Sequence, residues 1–319
     1  MYRMGWQRFV VLILVIVVGV QAESACGAFV GSNKVYLWPD SLFPKLLLQR
    51  MDVNVAGSEL ITEEHPLIDL ALENFLRPAN LVGIQKSLDR MGPYEGSMRN
   101  IFMKAGLPDN LIYLVVVESS ARIRARSYAG AAGLWQLMPK TAMSLGLKVN
   151  STVDERLDPI KSTWAVVRYL KHLYARFHSW DLVFAAYNMG ENGLARRLKK
   201  YKTSSFFELC KRKAVPRQTR YYVPRVFAAI RIGSNPSLYG ISLGRTLSVY
   251  ATDTVAASGK VSLKDVSVFL EVPLAVLLKL NPAVKNPYGR LEKGTLIHVP
   301  WVARKRLLEV SEVLGQRRG

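Results

Sequence analysis

The sequence predicts a mainly α-helical protein with a small β-α-α-β module near its C-terminus. Three observations predict it. Residues 107–241 are dense in apolar positions spaced three and four apart, with caps and stops at intervals and almost no strand signal. Half of the 319 residues are hydrophobic, enough for a sizeable core. From residue 245 the pattern changes to short strand-like runs around two short helical runs.

Taken in order, the chain opens on "MYRMGWQRF", with Arg3 and Arg8 and no acid, followed by the apolar "VVLILVIVVGV". That run is short for a bilayer span, which takes about 20 residues. Residues 1–22 read as a signal peptide cleaved after Ala22, with a retained anchor or a lipoprotein at Cys26 as alternatives. Residues 23–66 are weakly patterned and read as an extended lead. Residues 67–105 read as helices broken at "LRPANL" and "RMGPYEG". Asp109 is a cap candidate for a helix through "NLIYLVVVESS".

In "STWAVVRYLKHLYARF", Ser162 can cap, and Val166, Tyr169, Leu170, Leu173 and Phe177 mark one face. "DLVFAAYNMG" has a cap candidate in Asp181 and a stop in Gly190. "YYVPRVFAAIRIG" puts Pro224 in a first helical turn and Gly233 at the end. Residues 245–300 then give a strand at "TLSVYA", a capping box from Ser262 to Asp265, a second helix beginning at Pro273, and a strand at "TLIHVP". Residues 301–319 close the chain as a basic helix or tail.

The formal charge of +20 implies a polyanionic partner. An exported chain seldom meets nucleic acid. The polyanions it does meet are membrane head groups and the carboxylates of the cell wall, so outer-membrane or wall association through the basic surface is expected. Two cysteines, Cys26 and Cys210, exclude a disulfide-rich scaffold. The four histidines lie far apart with no metal-site spacing, and no cofactor is expected.

One residue carries a chemical expectation. Leu111, Leu114 and Val115 precede Glu118 by seven, four and three residues, so a helix sets them on its face. A carboxyl ending an apolar stripe loses solvation and its pKa rises, as a general acid requires. The bland alternative is a helix-end glutamate paired with Arg122, Arg124 or Arg126.

The surrounding motifs favour the acid. "GLPDNLIYLVVVES", "GAAGLWQLMPKTA", "GLKVN", "VDERLDPIKST", "YLKHLYARF", "AAYN" and "YYVPRVFAA" occur in an order that resembles the lytic transglycosylase family of cell-wall enzymes. The resemblance is strong over residues 107–241 and weak before residue 90. It implies a lysozyme-like helical domain, related to goose-type lysozyme, over residues 67–241. It also implies peptidoglycan glycan strands as substrate and cleavage of the MurNAc–GlcNAc β-1,4 bond without water, giving 1,6-anhydro ends.

Residue by residue, the resemblance makes Glu118 the single catalytic acid/base. Ser127 falls near the reacting sugar, Gln136 in the glycan cleft, Tyr187 and Asn188 opposite the acid, and Tyr222 beside it. Each has a plainer reading: Ser127 as a turn cap, Tyr187 or Trp135 as core. The chain departs from the family at "SARIRAR" after the acid, at Gln218 and at Met189. Residues 245–300 resemble a degenerate LysM peptidoglycan-binding repeat lacking its usual Gly-Asp-Thr opening, with a structural cap as the alternative.

Two other functions remain open in the sequence. One is a lysozyme-type muramidase, a hydrolase that would need a second carboxylate, for which Asp154, Glu155, Asp158 and Glu191 are the candidates. The other is a non-catalytic wall-binding protein, against which the intact Glu118, Gln136 and Tyr-Asn pair argue.

Overall fold

The computed structural model describes residues 64–243, 252–257, 261–300 and 303. The expected signal peptide, nearly all of the lead, the strand at "TLSVYA" and most of the basic tail lie outside the described residues. Among those described, no helix is long and apolar enough to cross a membrane. They form two compact units: residues 64–147 with 159–243, and residues 148–158 with the described residues from 252 onward.

The first unit is helical. Helix α1 (Pro66–Leu76) is capped by His65, whose Nδ1 accepts from Leu67 N at 3.1 Å. The chain breaks at Arg77, in extended conformation before Pro78, where a helix before proline is expected to end. Helix α2 (Pro78–Lys104) then runs unbroken through "RMGPYEG", contrary to the expected second break. Pro93 removes one backbone hydrogen bond. Met91, Met98, Ile101 and Phe102 are buried on both sides of it, and that packing outweighs the local cost.

Residues Asp109–Tyr113 form a 3-10 turn leading into a short helix, α3 (Leu114–Ser119). Asp109 does not cap it; its carboxylate pairs with Arg99 at 2.7 Å instead. Helix α4 (Pro139–Ser144) is followed in this unit by α5 (Pro159–Phe177). The latter starts three residues before Ser162, because Pro159 is suited to a first helical turn. Ser162 is therefore buried inside the helix rather than capping it, with its hydroxyl 3.5 Å from Pro159 O.

Helix α6 (Trp180–Met189) begins one residue before Asp181, whose buried carboxylate accepts from Leu182 N at 2.7 Å and from the Ser179 hydroxyl. It ends at Gly190, at φ 87°, as expected. Helices α7 (Glu191–Tyr201) and α8 (Phe206–Lys211) precede α9 (Arg217–Ser234). The last begins well before Pro224 and continues past Gly233, so neither marks a terminus. Helix α9 packs against α1, α3 and α6, with Val226, Phe227 and Ile230 buried alongside Leu111, Leu114, Val115 and Phe184. Full burial of each such side chain stabilises by about 1.5–3 kcal/mol.

The second unit has strand β1 (Thr252–Ala256), helices α10 (Leu263–Leu270) and α11 (Leu274–Leu280), and strand β2 (Leu296–Pro300). The strands are antiparallel, with Thr254 opposite His298. The capping box is present: Asp265 N donates to Ser262 Oγ at 3.1 Å and Ser262 N to Asp265 Oδ2 at 2.9 Å. Residues 148–158 belong to this unit although helical sequence flanks them on both sides. Asp154 N donates to Ala283 O at 2.8 Å and Lys285 N to Thr152 O at 2.9 Å. Val153 joins the same apolar cluster as Val255, Leu263, Leu277, Val284, Ile297 and Val299.

Candidate active site

Helix α3 holds Glu118 in place from both ends. On its N-terminal side, Arg99 of α2 bonds Asp109 at 2.7 Å and Glu95 at 3.0 Å, and the Tyr113 hydroxyl donates to Glu95 at 3.1 Å. The Tyr113 ring lies on Gly233 of α9, where a Cβ would fall 2.3 Å from Cδ1. The sequence expectation of a helix stop at Gly233 is replaced by this close approach, which only glycine permits.

On the C-terminal side the chain reverses at once. Ser120 and Ala121 both adopt left-handed conformations, at φ 51° and 54°, and Ala121 N returns to Val115 O at 3.1 Å. Each such non-glycine residue costs about 1–2 kcal/mol. The surroundings hold the turn: Arg90 of α2 donates to Ser120 O at 3.0 Å, and the buried Ser119 hydroxyl donates to Leu134 O at 2.8 Å. Strain held in this way is characteristic of sites rather than of packing alone.

Glu118 retains partial exposure, as a group that meets a ligand must. Protein atoms nevertheless crowd its carboxyl, and burial pushes its pKa up to about 7, against a smaller downward effect of a hydrogen bond from Tyr222. That bond runs from the buried Tyr222 hydroxyl on α9 to Glu118 Oε1. Burial and the facing negative charge of Glu118 hold the Tyr222 phenol well above its usual pKa, so it remains a donor. Tyr187 on α6 is raised by the same two causes.

The loop before α4 carries the next residues. Trp135 is fully buried, with Nε1 donating to Thr163 Oγ1 at 3.0 Å and its ring against Phe102; it is core. Tyr187 donates to Trp135 O at 2.6 Å. Gln136 is left-handed at φ 46° and donates Nε2 to Gly133 O at 2.8 Å and to Ala125 O at 3.4 Å, so its amide braces the loop. Asn188 Oδ1 accepts from the buried Thr219 hydroxyl at 2.9 Å, which fixes the orientation of its amide.

Ser127 is exposed and its hydroxyl accepts from Ala131 N at 3.0 Å, the turn-capping role; no hydrogen bond joins it to Glu118. The structure thus brings Glu118, Tyr222 and Tyr187 together, joins Tyr187 to the Trp135–Gln136 loop, and orients Asn188 through Thr219.

Two participants had no distinguishing signal in the sequence. Tyr169 read as part of the α5 core face, yet its ring packs 5.5 Å from that of Tyr187. Thr219 sat unremarked two residues before "YYVPRVFAA". The four carboxylates that were candidates for a hydrolase have partners of their own. Asp154 is paired with Arg156 at 2.8 Å, Glu155 accepts from Lys148 N at 2.7 Å, and Asp158 lies 3.9 Å from His298. Glu191 is held below its usual pKa by Arg176 and His172, although burial pushes the other way.

Residues 100–209 match the family described as Transglycosylase SLT domain. The chain is 32% identical over 202 residues to membrane-bound lytic murein transglycosylase D of Escherichia coli strain K12, covering 62% of this chain and 44% of the relative. It therefore spans less than half the length of that curated relative. Among solved structures, lytic transglycosylase Slt from Pseudomonas aeruginosa is similar at 25% identity and TM-score 0.38, covering 45% of this chain and 24% of that one. The soluble lytic transglycosylase SLT70 from Escherichia coli is similar at 21% identity and TM-score 0.39, covering 44% and 24%.

Proposed function

We propose that this chain, whose residues 100–209 carry a transglycosylase SLT domain, is a lytic transglycosylase of peptidoglycan, exported and acting in the cell envelope. The observation that carries the proposal is a single carboxyl, Glu118, poised near pH 7 with a tyrosine donor on it. Among the described residues, no second carboxylate's charge contributes to that pKa.

The chemistry follows from one group that changes role. Protonated Glu118 gives its proton to the oxygen linking MurNAc C1 to GlcNAc C4, and the C1–O bond breaks. The electron deficiency at C1 is met by the oxygen of the sugar's own N-acetyl group, as in substrate-assisted glycosidases. Ionised Glu118, steadied by the Tyr222 hydroxyl, then takes the proton of the MurNAc C6 hydroxyl, whose oxygen bonds to C1. The products are a 1,6-anhydro-MurNAc end and a free GlcNAc C4 hydroxyl, with no water consumed. Because Glu118 starts and ends protonated, one carboxyl suffices.

Asn188, with its carbonyl held by Thr219, offers its NH2 to the N-acetyl group. Tyr187 fixes the loop that carries Gln136, Gln136 lines the glycan cleft, and Ser127 sits on the hairpin at its edge. The unit formed by residues 148–158 and 252–300 serves as a LysM-like wall-association module.

Digestion of purified sacculi tests the reaction. Wild type should release anhydro-muropeptides, and Glu118→Gln should lose at least the roughly 10²–10⁴-fold contributed by general acid–base catalysis. Products with reducing MurNAc ends, one water heavier, would establish hydrolysis instead.

A further inference from the structure

The sequence departs from its family immediately after the acid, in "SARIRAR", and the structure gives that departure a form. Arg122, Arg124 and Arg126 are exposed, while Ala121 is buried and Ile123 and Ala125 are half-buried between them. The alternation turns three guanidinium-bearing side chains outward from one short stretch. No Asp or Glu occurs between Glu118 and Asp154, a span that also holds Lys140 and Lys148.

The backbone beneath the arginines is fixed. Arg122 N donates to Ser119 O and Ala125 N to Arg122 O, each at 3.1 Å. Gly133 N donates to Ala125 O at 3.0 Å, Ser127 N to Ala131 O at 2.9 Å, and Arg126 bridges Ala132. The Gln136 amide grips the same hairpin at Ala125 O and Gly133 O. The arginines therefore stand on a braced edge continuous with the residues assigned to the glycan cleft. Prior ordering of the backbone reduces what binding must spend on it.

Their charge does not act on the acid. A guanidinium close to Glu118 would favour its ionised form and lower its pKa. None figures among the causes of its shift, so the acid stays protonatable beside a strongly basic segment. Positive charge that spares the acid can act on parts of a substrate removed from the scissile bond. On peptidoglycan these are the peptide side branches, whose free carboxylates match the planar fork of arginine.

We infer that Arg122, Arg124 and Arg126 form a subsite for the free carboxylates of the peptide branches, so that the site prefers peptide-bearing glycan over bare glycan. The inference rests on the proposed substrate and deepens it. Like any contact between exposed charges, the preference weakens as salt rises.

Binding, not turnover, tests it, in full-length Glu118→Gln protein so that no cleavage intervenes. The probes are purified glycan oligomers bearing uncrosslinked peptides, and the same oligomers stripped of peptide by an amidase. The parent should bind the peptide-bearing oligomer at least ~10-fold more tightly at low salt, a ratio equal to about 1.4 kcal/mol. Replacing all three arginines by glutamine should bring the ratio near one, and replacing them by lysine should restore part of it. A control removes equal charge from exposed positions on α7, Arg196, Lys199 and Lys200, and should keep the ratio.

Equal loss in the α7 control would reduce the effect to net charge and overturn the subsite. An unchanged ratio in the glutamine variant would overturn it as well, with glycan binding and the proposed reaction left standing. Binding to neither oligomer would remove the proposed substrate, and the inference with it.

Discussion

Glu118 decides the behaviour of the protein at the scale of single residues. Its carboxyl titrates near 7 in the folded chain against 4.5 for an ordinary glutamate. The folded state therefore holds this proton more tightly than the unfolded state does. Folded stability falls as pH rises from 4.5 through about 7 and levels off above. Glu118→Gln, which cannot ionise, should match wild type near pH 4. At pH 8 it should exceed wild type by on the order of 1–3 kcal/mol, the full shift discounted for partial exposure, read by denaturant unfolding at the two pH values. The same titration should place the alkaline limb of kcat/KM near pH 7. Tyr222→Phe removes the one effect that lowers this pKa, so the limb should move to higher pH while kcat falls. A limb that stays in place with a lower kcat would mean that Tyr222 acts only on the substrate.

At the scale of elements, one close contact positions the short helix of the acid and one buried hydrogen bond anchors the Trp135 loop. Tyr113 lies against Gly233, and Gly233→Ala would drive a methyl into its ring. The ring cannot retreat without disturbing the Arg99–Glu95–Asp109 cluster. A loss of about 1–3 kcal/mol is expected, typical of overpacking, measured as a lowered Tm. Trp135 depends on Thr163 in a different way. Thr163→Val keeps the volume but leaves the buried indole N–H without its acceptor, which should cost about 1–3 kcal/mol. Because Tyr187 is bonded to Trp135 O, kcat should fall along with stability.

The whole molecule adds a dependence that no single element shows. Residues 148–158 pair with residues 283–285 and place Val153 in the apolar cluster of the C-terminal unit. A chain ended after residue 243 would strand those backbone groups. The Asp154 amide should then exchange with solvent far faster, as hydrogen-exchange mass spectrometry over 148–158 would show. The shortened chain should also bind sacculi less well, most visibly at low salt, where the charge of the protein is unscreened.

The sequence by itself determined the helical class, the capping box at Ser262, the stop at Gly190, and Glu118 as the end of an apolar stripe. Each is a local matter, set by side-chain period, cap chemistry or the freedom of glycine within a few residues of chain. Tertiary structure alone decided the rest. Pro93 reads as a breaker, yet Met91, Met98 and Phe102 are buried on either side of it and the helix continues. Gly233 reads as a stop, until the ring of Tyr113, remote in sequence, comes to rest on it. Asp109 reads as a cap and is claimed by Arg99. The pKa of Glu118 depends on how many protein atoms displace water around one carboxyl and on a hydroxyl 104 positions away. No local pattern encodes that, because desolvation and hydrogen bonding follow distance in space and not separation along the chain.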